Sequence, residues 1–233
     1  MAKRSDRTLL NSHGPTVGHG SPYAPHTATS ASLQPVWNSL RGHTDLAADV
    51  AVHVRYLPVV TSRDEQQIQL VDEHNQPIGG IRRGDALPSG ANFRTVHVLI
   101  CNGRGDLLLQ QKPTGLRNAG QWGSSVAGYV MEGESYPEAV QRKLRTELGV
   151  TGAEPLSLGI TEMADGNSRK FVGVYLLRWD GPITPNPADF AALSVVPPAN
   201  LHLWSQTHSA VFTATTLQVL RFARPQLGID PGL

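Results

Sequence analysis

The chain lacks most features that would commit it to an oxidising, membrane-spanning or polyanion-binding role. Its 233 residues include one cysteine, Cys101, which excludes an internal disulfide and a cysteine-cluster metal site and suits a reducing, cytoplasmic compartment. No stretch approaches the roughly 20 apolar residues of a membrane span, and Lys3, Arg4 and Arg7 are not followed by the apolar segment of a secretory signal. Charge imbalance is also missing: 20 Lys and Arg stand against 19 Asp and Glu. No long-range field therefore favours nucleic acid or an anionic membrane, and any anion site must be local. Acidic residues are scarce at the start, where Asp6 is the only one before Asp45 in a Ser/Thr-rich stretch, so an organellar transit peptide stays open.

What is present suffices for one folded core, since 39% of the residues are hydrophobic. Residues 1–34, rich in Gly, Pro, Ser, Thr and His, read as a disordered tail. His13, His19 and His26 in it match no compact metal-ligand spacing and are assigned no role. An extension over 35–64 carries the alternation Val50, Val52, Val54, Tyr56 of a half-buried strand. The main domain is expected over 65–226, with a short tail at 227–233. In it, strands are predicted at 66–71, 156–163, 170–179 and 193–196, with a turn at His74-Asn75-Gln76-Pro77. The plainest hairpin joins 95–101 to 106–111 through Asn102-Gly103-Arg104-Gly105, with Cys101 as a small buried hydrophobe. Ser135-Tyr136-Pro137-Glu138 is a capping box that opens a helix over 136–148; Val140, Leu144 and Leu148 form its apolar stripe and Gly149 ends it. A closing helix is expected over 209–222, ending before Pro225. Mixed strands with two helices predict an α/β sandwich.

From Gly128 to Val150 the spacing becomes specific. Gly128, Glu134, Arg142, Leu144, Glu147, Gly149 and Val150 fill seven of the nine specified positions of a 23-residue signature, and the chain thereby resembles the Nudix superfamily. Lys143 and Thr146 stand where that family has glutamates. The likeness implies an α/β/α sandwich with a mixed sheet and a loop-helix-loop box, over the 65–226 domain. It makes Gly128, Glu134, Arg142 and Gly149 structural, with Glu134 and Arg142 bracing the loop against the helix.

The signature exists because Mg²⁺ prefers an octahedral shell of oxygens shared with substrate phosphates. Positions 143, 146 and 147 lie at i, i+3 and i+4 and share one helix face. Here that face carries Lys143, Thr146 and Glu147 in place of three carboxylates. The resemblance implies a single Mg²⁺, weakly bound without substrate, held by Glu147 and the Ala127 carbonyl. The plainer alternative is that Lys143 and Glu147 form an exposed ion pair worth about 0.3–0.5 kcal/mol.

A basic residue at position 143 with one glutamate at 147 is also similar to bacterial-type isopentenyl-diphosphate isomerases. That likeness makes Lys112, Arg117 and Lys143 the cations that hold a diphosphate. The departures are as specific: Ala127 stands for the isomerase's catalytic cysteine, Tyr129 and Phe93 for metal histidines, and residues 166–170 offer no paired glutamates. His97 lies four positions from the required place and is read as a strand residue. Related Nudix hydrolases share Val71-Asp72-Glu73 and Gly133-Glu134-Ser135-Tyr136. The expectation is a Nudix-type hydrolase of a small organic diphosphate, with Glu147 and Lys143 catalytic and the general base open among Glu132, Glu162 and Asp165. The alternatives are a non-catalytic ligand-binding protein and an isomerase-like enzyme acting on a prenyl diphosphate. The expected partner is the small molecule, not nucleic acid or membrane, and a homodimer is left open.

Overall fold

The computed structural model describes residues 54–55, 63–207 and 212–228. The tail expected over 1–34, with its histidines, and most of the 35–64 extension lie outside them. Of the strand expected around 50–56 the described part is β1, Val54–Arg55.

The sheet is organised by β4 (Asn92–Cys101), which is hydrogen-bonded to four other strands. On one side it runs parallel to β9 (Ser168–Arg178) from Phe93↔Lys170 to Cys101↔Arg178. Both are covered on two faces, so they are buried over most of their length and carry apolar runs at 98–101 and 171–177. β8 (Leu156–Asp165) pairs with the outer edge of β9. On the other side β4 meets in turn β5 (Leu107–Gln111), β7 (Val126–Tyr129) and β2 (Gln67–Val71). Beyond β2 lies β3 (Pro77–Arg82), and beyond β5 lie β10 (Ala192–Val196) and β1.

The sheet forks next to Ile100 and Leu108, the start of the paired end of β4 and β5. From there β5 continues with β6 (Trp122–Gly123), and β4 continues with β7. Ser125 stitches the crotch of the fork: its hydroxyl accepts from the Ile100 N–H at 2.8 Å and donates to the Leu108 carbonyl at 2.5 Å. One face of the sheet packs on helix α2 (Tyr136–Leu148), through Val96, Val98, Ile100 and Leu108 against Val140, Leu144 and Leu148. The other packs on helix α4 (Ala214–Leu227), through Leu99, Cys101, Leu107 and Leu109 against Val219, Leu220 and Ala223. The result is the expected α/β/α sandwich. Each fully buried leucine of α2 contributes about 1.5–3 kcal/mol.

Helix α2 has the predicted bounds and both halves of the capping box, and Gly149 ends it at φ 66° in the left-handed conformation. Two expectations are corrected, and one strand that was not expected is added. The closing helix begins at Ala214, because the Thr213 hydroxyl accepts from the Thr216 N–H, and it runs through Pro225 to Leu227. Proline there falls in the last turn, where the carbonyl it leaves free is near the helix end. This carries the helix one residue past the expected domain end at 226. Among the described residues there are four helices, not two: α1 (Arg83–Ser89) and α3 (Pro198–Thr207) are additional. Finally, β3 follows the turn at 74–77 as a largely exposed end strand, a position that tolerates Pro77, Gly79 and Gly80.

Candidate functional site

The fork opens a cavity of about 860 Å³, and both layers of the sandwich contribute to it. Alternation places Gln110 on the α2 side with Leu108, and Thr95 and His97 on the α4 side with Leu99. Helix α2 presents Lys143, Thr146 and Glu147 to the cavity, and the start of α4 presents Ala214 and Thr215. The lining holds seven Lys and Arg side chains against three carboxylates. A chain without net field thus concentrates positive charge locally.

Of the residues expected from the sequence, Lys112, Arg117, Lys143, Glu147, Ala127, Gly128 and Arg142 all line this cavity. Glu134 and Gly149 do not, in keeping with structural roles. Glu134 accepts from Arg142 Nε at 2.7 Å and Nη2 at 2.8 Å and from the Met131 N–H at 2.9 Å, while Arg142 Nη2 also donates to the Tyr129 carbonyl at 3.0 Å. The loop is therefore braced against α2. Gly128 has a steric reason: a Cβ there would lie 2.4 Å from Lys143 Cε. The lysine stem crosses β7 in the space that glycine leaves, and any larger residue would have to displace it.

Lys143 and Glu147 form an ion pair, but not the exposed one: their side chains are only 15% and 5% accessible. One Glu147 oxygen meets Lys143, and Oε2 is buried without a partner. Burial raises the Glu147 pKa above the usual carboxylate range, against the opposing pull of Lys143. Lys112 is lowered to about 8 by burial, with Glu147 countering and Lys143, Arg83 and Arg63 adding to the shift. His97 is held well below its ordinary value by burial and by Lys170 and Lys112, so it is neutral at pH 7; its Nδ1 lies 2.9 Å from the Ser124 hydroxyl.

Arg117 is placed differently from its expected partners. It spans from the β5–β6 loop to Asp165 in a two-bond pair of 2.9 and 2.5 Å. Asp165 also accepts from Lys170 Nζ at 2.9 Å, and Lys170 donates to Thr215 Oγ1 at 2.7 Å. Lys112 and Lys143 are thus grouped with Glu147 at the α2 end, and Arg117 sits with Asp165 and Lys170 at the α4 end. Sequence reasoning missed Lys170. Its one signal is a lysine at the head of an apolar run, and its burial follows from the β4–β9 pairing.

The three acids named for the general base are separated by the fold. Glu132 is exposed over Gly80, and Glu162 is exposed with Arg169 as its nearest cation at 3.8 Å. Asp165 lines the cavity but is engaged by Arg117 and Lys170. The third cavity carboxylate, Asp189, pairs with Arg63 at 2.6 Å. Among the described residues no group of three His, Cys, Asp or Glu converges. The partnerless Oε2 of Glu147 fits one ion that takes its remaining oxygens from ligand and water; the donor set does not fit a multi-ion cluster. No helix of the described residues is long and apolar enough to cross a membrane.

Comparison with known proteins agrees with this architecture. The family model described as "NUDIX domain" matches residues 91–215. An isopentenyl-diphosphate Delta-isomerase of Burkholderia multivorans is 27% identical over 154 residues, 64% of this chain and 88% of that protein. An uncharacterized Nudix hydrolase of Streptomyces coelicolor is 32% identical over 146 residues, covering 61% and 80%. The crystal structure of a Deinococcus radiodurans protein superposes with a TM-score of 0.58 at 25% identity, covering 68% of this chain and all of that one.

Proposed function

The chain belongs to the NUDIX domain family, in a branch related to isopentenyl-diphosphate isomerases, and from that membership we propose that it hydrolyses a small organic diphosphate in the forked-sheet cavity with the help of one Mg²⁺. The observation that carries the proposal is the excess of seven cationic over three anionic side chains in a cavity of a chain that is otherwise almost neutral. Such a cavity stabilises a polyanion by several charge-assisted hydrogen bonds.

In the proposed mechanism Lys112 and Lys143 hold phosphate oxygens at the α2 end. Arg117, 56% accessible, exchanges Asp165 for a phosphate oxygen, and Lys170 keeps Asp165 neutralised when it leaves. Glu147 Oε2 and the Ala127 carbonyl would hold the Mg²⁺, whose charge would offset that of the phosphates. A water oxygen bonds to phosphorus as the bridging P–O bond breaks, and the departing phosphate oxygen takes the proton.

One observation favours a second reading, binding without turnover: all three cavity carboxylates are ion-paired, so none stands ready as a base. Release of orthophosphate or pyrophosphate from nucleoside, sugar and prenyl diphosphates, with and without Mg²⁺, separates the two. The hydrolase reading expects Mg²⁺-dependent release from one class. Micromolar binding with no release from any of them establishes the binding reading instead.

A further inference from the structure

The cavity contains more polar surface than a diphosphate and its counter-charges use. Among the described residues four buried side-chain polar atoms have no hydrogen-bond partner, and three of them, Thr95 Oγ1, Gln110 Oε1 and Glu147 Oε2, belong to side chains that line this cavity. Glu147 is the carboxylate proposed to hold the ion. Thr95 and Gln110 are uncharged: Thr95 is 6% and Gln110 2% accessible, and they stand on the two prongs of the fork. A buried hydroxyl or carboxamide without a partner costs about 1–3 kcal/mol, and two in one cavity indicate a ligand that completes them.

The distribution of apolar groups agrees. The most buried side chains of the lining include the polar Thr95, His97, Gln110, Glu147 and Lys170 and one large apolar group, Phe212, whereas Leu116, Met131, Met163 and Leu217 are only partly buried. A hydrocarbon tail passing through the fork would leave Thr95 and Gln110 without a hydrogen-bond partner. A hydroxyl can donate to the Gln110 carboxamide and both donate to and accept from Thr95; if the carboxamide is turned the other way, the ligand oxygen accepts instead.

We propose that Thr95 and Gln110 are specificity-determining residues that read hydroxyl groups on the organic part of the diphosphate, so that the preferred ligand is a hydroxylated diphosphate and not a prenyl one. This rests on the anion site proposed above. Sites built to hydrogen-bond a substrate hydroxyl discriminate strongly against analogues that lack it, because the site's own groups are then left unpaired.

The test is calorimetric binding of inorganic pyrophosphate, isopentenyl diphosphate, adenosine diphosphate and uridine diphosphate glucose to the full chain and to Thr95→Val, Thr95→Ser and Gln110→Leu. The wild type is expected to bind at least one hydroxylated ligand about tenfold or more tighter than isopentenyl diphosphate. Thr95→Val and Gln110→Leu are each expected to reduce that ratio about fivefold or more, with pyrophosphate affinity unchanged as the sign of a folded anion site. Thr95→Ser, which keeps the hydroxyl, is expected to keep the ratio. Pyrophosphate binding with an unmoved ratio, or a wild type that prefers isopentenyl diphosphate, overturns the assignment of Thr95 and Gln110 alone. Absence of all diphosphate binding overturns the anion site and this inference with it.

Discussion

Lys143→Ala separates a buried ion pair from an exposed one by stability alone, before any ligand is known. The lysine stem lies over Gly128 and its ammonium meets a carboxylate that is 5% accessible and already has one unpartnered oxygen. Removing the lysine leaves both Glu147 oxygens buried and unmatched. Breaking a buried pair from one side costs about 3–5 kcal/mol. Glu147 relieves part of that by taking a proton, since burial has already raised its pKa, so the expected loss is about 2–4 kcal/mol. An exposed i,i+4 pair would give about 0.3–0.5 kcal/mol. Urea unfolding at pH 7 reads the difference directly, and an unchanged m-value certifies that the unfolded state is comparable. Adding Glu147→Gln to Lys143→Ala removes the stranded charge and is expected to recover about half of the loss or more, giving a coupling energy of about 2 kcal/mol in a double-mutant cycle. A single-variant loss below about 0.5 kcal/mol with no coupling would refute the buried pair.

Titration of the free protein with Mg²⁺ is expected to show at most one ion, held more weakly than about 1 mM, because the helix face offers one carboxylate; two tightly held ions would contradict the charge assignment of the site. Asp165 is opposed by burial, yet hydrogen bonds from Arg117 and Lys170 and their charges hold its carboxyl below the ordinary range. Its contribution to stability is therefore fully present above about pH 4 and lost as pH falls toward the lower folded-state value. The gap in melting temperature between wild type and Asp165→Asn should narrow from pH 7 to pH 2, and a constant gap refutes the linkage. Cys101 is 3% accessible, and its thiol is pushed up to about 11 by burial, with Arg178 opposing and Asp106 adding. Native protein at pH 7.5 should react with a soluble disulfide reagent about a hundredfold or more slower than denatured protein; equal rates would place the thiol outside the core.

What the sequence discloses is what short-range physics specifies. The capping box, the apolar stripe and Gly149 define α2 to the residue because all three signals lie within one helix. The β4–β5 hairpin is equally local. By contrast, α1 contains Gly84 and Pro88 over seven residues and offers no periodic stripe to read. The site divides in the same way. Lys112, Arg117, Lys143 and Glu147 are legible through the signature and its context, but the pairing of Arg117 with Asp165 spans 48 residues. Nothing near either residue announces it. The polar floor is hidden for a related reason: Thr95 and Gln110 read as ordinary strand residues until the fork gives them a cavity to face.

The long register between β4 and β9 also sets an order of events in time. Each of its nine pairs joins residues 77 positions apart, and closing a loop of that length costs about 2 kcal/mol more entropy than closing one of about eight residues. The β4–β5 hairpin and α2 assemble from neighbours in sequence, so docking of β9 is a late step, and it alone carries Lys170 to the α4 end of the cavity. A ligand that needs both ends has nothing to grip in the nascent or half-folded chain. Its binding should slow the unfolding limb of a chevron and leave the refolding limb unmoved.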